Sequence, residues 1–156
     1  MAESMPQLLL AQPLFADLPA DAVDSVVGCA KNEVFDAGQL LLAEGAEATT
    51  LYLLRRGSVA IEVHSPGRGG LVVQTLGPGK VVGWSWLVPP FRWSFDARAV
   101  TPVGAVAIDG TCLREKADAQ PGFGYALLQR ISAMLLEQLH ATQIQLLDLY
   151  GHGSDR

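Results

Sequence analysis

The fold of this chain is decided by the stretch Ser58-Val59-Ala60-Ile61-Glu62-Val63-His64. Apolar and polar residues alternate along most of it, which is typical of a β-strand with one face in a core. The alternation predicts that Val59, Ile61 and Val63 lie on the buried face of this strand.

Short runs of the same kind recur on both sides of it, at intervals of roughly 8–12 residues, and Gly or Pro separates most of them. This spacing is typical of an all-β sandwich or barrel between Asn32 and Asp109. Boundary glycines are predicted to occupy turns with positive φ; they are Gly38, Gly45, Gly57, Gly77 and Gly79. The predicted strands are Glu33–Phe35, Leu40–Ala43, Thr50–Arg55, Ser58–His64, Leu71–Leu76, Val81–Gly83, Ser94–Ala99 and Gly104–Ile108.

Two short helices are predicted before the β region. Residues 5–12 contain an apolar run that suits a small helix docked on the rest of the chain. Asp17 is predicted to cap the second helix, which carries Val23, Val26 and Val27 on its apolar face.

Helical patterns return after the last predicted strand. Asp109-Gly110-Thr111 is a helix-start signal and predicts a short helix over Cys112–Ala119. Pro121 then opens the longest helical pattern, which extends from about Gly122 to Tyr150.

The long helix carries a heptad pattern. Leu128, Leu135, Thr142 and Leu149 recur every seven residues, with Ser132, Leu139 and Leu146 between them. Such a stripe is typical of a coiled-coil seam and predicts a homodimer; the alternative is one broad buried face in a monomer. The predicted dimer interface is Leu128, Leu135, Leu139, Thr142, Leu146 and Leu149. An adjacent stripe is predicted to pack on the β-sheet of the same chain and contains Leu127, Ile131 and Met134.

Composition indicates a folded, acidic protein of one domain. Of its 156 residues 49% are apolar and 17% charged, which excludes a disordered chain. A net charge of −5 gives no general attraction to nucleic acid or anionic membranes. Cys29 and Cys112 lack metal-ligand spacing and are predicted to be reduced thiols of a cytoplasmic protein. There is neither a signal-peptide pattern nor an apolar run long enough to span a membrane.

Residues 82–95 concentrate the aromatic side chains of the chain. This stretch contains all three tryptophans, together with Phe91 and Phe95, and one cation, Arg92. Because exposed aromatic surface is costly, such a loop is either a plug in a core or the wall of a ligand pocket. The sequence leaves both interpretations open.

Five motifs with characteristic glycine positions follow one another along the chain: Leu14–Leu18, Phe35–Gly38, Glu44-Gly45, Leu51–Val59 and Leu76–Gly83. Together they resemble the cyclic nucleotide-binding domain family. The resemblance implies an eight-stranded β-roll of the jelly-roll type with flanking helices, a phosphate-binding cassette at about 83–95, and a C-terminal helix covering the pocket. The long helix resembles the dimer helix of bacterial catabolite-activator regulators.

The resemblance divides the chain into four parts. Residues 1–13 are an N-terminal helical segment, residues 14–120 the β-roll with short helices, residues 121–150 a dimerisation helix, and residues 151–156 a tail.

The cassette departs from the family pattern at two places. Trp84 stands where the family usually has a Glu that binds the ribose, and a tryptophan has no acceptor for that hydroxyl. Two alignments place either Arg92 or Trp93 at the phosphate position. Arg92 is predicted to point inward and bind an anion. The alternatives are a surface Arg after a turn, or one stacked on Trp93 or Phe91.

The candidate ligand therefore remains open between cAMP, cGMP and another planar or anionic molecule. The aromatic rings would either stack on it or fill a vacated pocket. On the long helix, the family contacts the base at positions that correspond to Thr142 and Gln143. The predicted ligand-binding residues are Gly83, Trp84, Ser85, Arg92, Trp93, Ser94, Thr142 and Gln143.

The sequence is compatible with three functions to different degrees. The first is a stand-alone, cytoplasmic ligand-sensing regulatory module that signals through its dimer helix to an unknown downstream protein. The second is a ligand-free interaction or scaffold protein. The third is a DNA-binding regulator, which is disfavoured because only six residues follow Tyr150 and the charge is acidic. No catalytic motif is present. His64, His140 and His152 show no metal spacing and are predicted to be solvated.

Overall fold

The computed structural model describes residues 3–67 and 69–154. Within these ranges, eight strands form two antiparallel four-stranded sheets in the orders β1-β8-β3-β6 and β2-β7-β4-β5. The predicted mainly-β fold with flanking helices is confirmed. The strands are β1 (Ala30–Phe35), β2 (Leu40–Leu42), β3 (Thr50–Arg56), β4 (Val59–Ser65), β5 (Gly69–Leu76), β6 (Val81–Val82), β7 (Asp96–Ala99) and β8 (Val103–Asp109).

The hydrophobic core takes side chains from both sheets. Leu53 on β3 and Val106 on β8 are fully buried opposite each other in the ladder of the first sheet, and Val59 and Ala97 are fully buried in the second. Strands of this kind are rich in aliphatic residues because their side chains are removed from water.

The prediction for β4 is right at two positions and wrong at the third. Val59 and Ile61 are buried, but Val63 is 40% exposed. β4 pairs with β7 only from Val59 to Glu62, and the pairing with β5 shifts register after Ile61. The outer half of the β4–β5 hairpin therefore extends past the core, which leaves Val63 in solvent.

Four of the five boundary glycines have the predicted positive φ; they are Gly38, Gly45, Gly57 and Gly79. The prediction is wrong for Gly77. Its carbonyl accepts a hydrogen bond from the Lys80 backbone at 3.2 Å. Gly77 thus opens a four-residue turn, and the positive φ falls on Gly79 at the third position.

The N-terminal helices are α1 (Met5–Leu10) and α2 (Ala20–Val26), which is followed by a 3₁₀ turn over Val27–Cys29. The predicted cap is wrong. Pro19 occupies the N-cap position without a side-chain hydrogen bond. Asp17 instead pairs with Arg130 of the last helix at 2.9 Å.

Two helices follow β8. α3 (Gly110–Ala119) begins two residues before the predicted Cys112. The predicted start signal is confirmed, because the Asp109 carboxylate caps the helix by accepting from the Cys112 backbone at 2.8 Å. α4 (Pro121–Ser154) runs past the predicted end at position 150. None of the helices in the described ranges has both the length and the apolar character needed to cross a membrane.

α4 buries the face that was predicted to pack on the sheet, whereas the predicted dimer seam is exposed and stays a prediction. Leu127 and Ile131 are buried against the roll, and Met134 is partly buried there. The apolar residues predicted for the dimer seam are between 39 and 70% exposed in the single chain. They are Leu128, Leu135, Leu139, Leu146 and Leu149; Thr142 is exposed as well.

The prediction of two reduced cysteines is wrong, because Cys29 and Cys112 form a disulfide with their Cα atoms 5.8 Å apart. They are separated by 83 positions in sequence. The antiparallel β1–β8 ladder pairs Ala30 with Ile108, so the residue before β1 lies beside the first turn of α3. The spacing of the two cysteines along the chain does not reveal that they are neighbours in the fold.

Candidate ligand cleft

A cleft of about 320 Å³ lies between the β-roll and the middle of α4. We call it the ligand cleft. One wall comes from the sheet and from both ends of the cassette loop (residues 83–95), and the other comes from α4. Its lining residues are Ile61, Gln74, Leu76, Val81, Gly83, Trp84, Phe95, Leu135, Gln138, Leu139 and Thr142.

The polar groups of the ligand cleft are amides and a hydroxyl. Gln138 on α4 donates to the Gln74 side chain on β5 at 3.0 Å, which ties the helix over the cleft. Thr142 donates to the Gln138 carbonyl of its own helix at 2.9 Å. None of the lining residues given above is charged; Lys80 and Glu137 line a smaller adjoining space of about 120 Å³. The lining of the cleft is therefore uncharged and offers no partner for a buried charge.

Trp84 forms part of the wall of both spaces and is half-buried. Its indole nitrogen is buried and, among the described residues, has no protein hydrogen-bond partner. A buried N–H without a partner is costly. The Trp84 ring therefore contributes apolar surface to both spaces, while its N–H is shielded from solvent.

Trp93 fills the space beside the cassette glycine. Gly83 has φ +95, and a Cβ built on it would lie 2.5 Å from Trp93 Cζ3. Trp93 is 5% exposed and belongs to the hydrophobic core. An indole ring therefore packs directly against the backbone of Gly83.

Arg92 does not point into the core. Its side chain is exposed, and its guanidinium donates to the Gly45 carbonyl at 3.2 Å. The inward interpretation of Arg92 is therefore wrong and the surface interpretation holds. The cation that stacks on Phe91 is Arg114 of α3, at 4.3 Å from the ring centroid.

The cassette loop is fastened to the segment after β2. The Gly45 backbone donates to the Trp93 carbonyl at 2.9 Å, and the Trp93 backbone donates to Ala46 at 3.0 Å. The Ala48 backbone donates to Phe91 at 2.7 Å. These bonds fix which of two adjacent residues turns inward, and they select Trp93.

The structure brings three of the eight predicted ligand residues to the cleft, namely Gly83, Trp84 and Thr142. Ser85, Arg92, Trp93, Ser94 and Gln143 are not in its lining. Sequence reasoning missed Gln74 and Gln138, which join the two walls. It also assigned Leu135 and Leu139 to the dimer seam alone, although both line the cleft.

Arg114 is a third residue that the sequence did not single out. Its guanidinium donates to the Trp86 carbonyl and, at 3.2 Å, to the Thr111 hydroxyl. Together with its stacking on Phe91, these bonds connect the first turns of α3 to both halves of the cassette loop. Trp86 itself is fully buried.

A polar network lies beside β7. Asp96 is 8% exposed, and its carboxylate accepts from the Glu44 backbone at 2.7 Å and contacts His64 Nε2 at 2.6 Å. The hydrogen bond to Asp96 raises the pKa of His64. The Glu44 backbone N–H and His64 lower the pKa of Asp96. Arg98 pairs with Glu62 at 3.3 Å on the same sheet.

The prediction of solvated histidines is thus incomplete. His64 is half-exposed but paired, His140 is exposed, and the side chain of His152 lies outside the described residues. The described part of the chain contains no group of three His, Cys, Asp or Glu residues that could hold a metal ion.

The His64–Asp96 pair predicts a pH-dependent stability. A raised histidine pKa contributes stability below its ordinary value of 6.5, and this is lost as pH rises through the folded-state pKa. A lowered carboxyl pKa contributes above its ordinary value of 3.8, and this is lost as pH falls through the folded-state pKa. Replacing His64 with Ala should therefore lower the free energy of unfolding more at pH 5.5 than at pH 8.5 or above, as measured by urea denaturation.

The control for that measurement is His140→Ala, which removes an exposed histidine from α4. A His64→Ala effect of equal size at both pH values would show that the ion pair does not contribute.

Comparison with known proteins agrees with this architecture. The family model of the cyclic nucleotide-binding domain matches residues 32–120, more than half of the chain. Glutaminase 2 of Bradyrhizobium diazoefficiens is 28% identical over 141 residues, covering 89% of this chain and 22% of that protein. The CRP-like cAMP-activated global transcriptional regulator of Mycobacterium tuberculosis is 25% identical over 145 residues, covering 93% and 63% respectively.

The chain thus spans less than two thirds of the length of these curated relatives. A solved Geobacter metallireducens protein, described as cyclic nucleotide-binding, superposes with a TM-score of 0.79 at 28% identity. That match covers 88% of this chain and all of the other. From the matched family model and the shared architecture, the chain belongs to the cyclic nucleotide-binding domain family.

Proposed function

We propose that this chain is a non-catalytic regulatory module that binds a small planar ligand in the ligand cleft and signals through a homodimer of α4. The observation that carries the proposal concerns the wall of the cleft that α4 provides. Leu135 and Leu139 line the cleft, and the heptad pattern predicts that they also lie in the dimer seam. A ligand that contacts them favours one position of α4, and the dimer transmits that preference as a population shift.

The lining of the cleft disfavours an ordinary cyclic nucleotide. A cyclic phosphate needs a cation or several N–H donors, because an unpaired buried charge is prohibitively costly. Arg92 lies at the surface, and Trp93 packs on Gly83 at the position that one alignment gives to the phosphate ligand. The amides of Gln74 and Gln138 and the ring of Trp84 instead suit a neutral heterocycle.

Calorimetry with cAMP, cGMP and adenosine tests this proposal. The phosphate should add nothing to affinity, so cAMP and adenosine should bind within about tenfold of each other. Arg92→Ala should leave each titration unchanged, since that side chain is exposed. Micromolar binding of cAMP that disappears in Arg92→Ala would contradict the altered cassette and restore a phosphate-binding one.

A second candidate function is an interaction protein with the same fold and no ligand. The burial of Trp86 and Trp93 favours it, because rings that fill the core leave less room for a guest. Tryptophan fluorescence separates the two functions, since Trp84 lines the cleft. A saturable change with adenosine or guanosine supports the ligand-binding module, and its absence in a stable dimer supports the interaction protein.

A further inference from the structure

We propose that the Cys29–Cys112 disulfide is a reversible redox modification site that controls how firmly α3 holds the cassette loop. The bond joins the end of the 3₁₀ turn to the first turn of α3. It therefore connects the N-terminal segment to the helix that contacts the cassette.

The disulfide is reachable from solvent. Both sulfur-bearing residues line an open cleft of about 590 Å³, whose other walls include Lys31, Asp109 and Glu115. Cys29 is buried at 8% exposure, whereas Cys112 is half-buried. Cys112 is therefore the more exposed of the two residues, and we take it as the site of attack by a small dithiol.

A dithiol reduces the Cys29–Cys112 bond in two exchange steps. A thiolate of the dithiol attacks Cys112 Sγ, the protein S–S bond breaks, and Cys29 leaves as a thiolate that takes up a proton. The second thiolate of the dithiol then attacks the dithiol sulfur that is bonded to Cys112, and Cys112 leaves as a thiolate. The reductant becomes a disulfide, and two electrons pass to the protein. The released Cys112 thiolate lies in the first turn of α3, where the helix dipole favours a negative charge.

The first turns of α3 carry the coupling to the cassette. A Cβ built on Gly110 would lie 2.9 Å from Trp86 Cβ, so the start of α3 packs against this tryptophan without spare room. Arg114 donates to the Trp86 carbonyl and stacks on Phe91. Cys112 lies between these two contacts in sequence. Releasing its sulfur removes the covalent anchor of the segment that holds both Trp86 and Phe91.

The experiment compares the oxidised and dithiothreitol-reduced chain without denaturant. Free thiols should rise from none to two per chain, at a rate within about tenfold of that in guanidinium chloride. The midpoint of thermal unfolding should fall by about 10 °C on reduction. Hydrogen exchange at the Ala48, Phe91 and Trp93 amides should accelerate by about tenfold or more, while amides of the β4–β7 ladder serve as the internal reference.

Arg114→Ala is the uncoupling variant. It should loosen the cassette amides already in the oxidised chain, so that reduction changes them little further. Cys29→Ala with Cys112→Ala should reproduce the reduced chain; if this variant does not fold, the chemically reduced wild type decides the question. The proposal is overturned if reduction requires denaturant, if free thiols persist after treatment with oxidised glutathione, or if reduction leaves cassette exchange unchanged.

Discussion

A chain carrying Leu135→Glu and Leu139→Glu is expected to be a monomer of 16.6 kDa, whereas the wild type should form a dimer of twice that mass. Both leucines are already 39 and 53% exposed in the single chain, so their replacement leaves the roll intact. Fully burying an exposed leucine contributes about 1.5–3 kcal/mol, so each of these two, about half exposed, should contribute roughly half of that to the interface. The introduced carboxylates would also face like charges across the seam. Multi-angle light scattering measures the mass directly.

The matched control introduces the same number of charges outside the seam. Ile144 and Leu147 are 60 and 69% exposed on α4 but do not belong to the heptad positions. Ile144→Glu with Leu147→Glu should remain dimeric, and circular dichroism should show both variants folded. A seam variant with the mass of the wild type would refute the heptad assignment and favour the single broad face.

The long helix shows what periodicity can and cannot predict. Its inner face, with Leu127 and Ile131, follows from the spacing and is buried as expected. The same spacing does not show that Leu135 and Leu139 also close the ligand cleft. That role depends on where α4 crosses the roll, which is fixed by contacts such as the one between Gln138 and Gln74, 64 positions apart.

The β-roll was predictable because its strands are short, aliphatic and separated by glycines. The prediction that Val63 is buried fails for a reason that the local sequence pattern does not contain. Its burial depends on β7, whose pairing with β4 ends at Glu62↔Asp96. Alternation predicts which side chains share a face of a strand, but the neighbouring strands decide how much of that face is covered.

The cassette loop was less predictable than the roll. The choice between Arg92 and Trp93 is a shift of one residue, and the backbone bonds from residues 45–48 decide it. The Cys29–Cys112 bond likewise depends on distant segments, because the pairing of β1 with β8 brings the two cysteines together. Both outcomes are decided by pairing between segments that are distant in sequence, and the spacing of residues along the chain does not predict that pairing.

Gly83→Ala is expected to lower the free energy of unfolding by about 2–6 kcal/mol. Two effects add. At φ +95 an alanine is strained, and its Cβ would lie 2.5 and 2.6 Å from two carbons of the Trp93 ring. The Trp93 ring has little room to move away from this Cβ, because it is 5% exposed and packed in the core. Urea denaturation of the two chains measures the difference.

Gly77→Ala is the matched control, because Gly77 has no heavy atom within 4 Å of a built Cβ and no positive φ. Its free energy of unfolding should stay within about 1 kcal/mol of the wild type. A double-mutant cycle with Trp93→Leu then isolates the contact itself. If Trp93 occupies the space over Gly83, the double variant should be more stable than the two single losses predict, by about 1–3 kcal/mol. Strict additivity would mean that the ring does not press on Gly83, and the filled phosphate position would lose its main support.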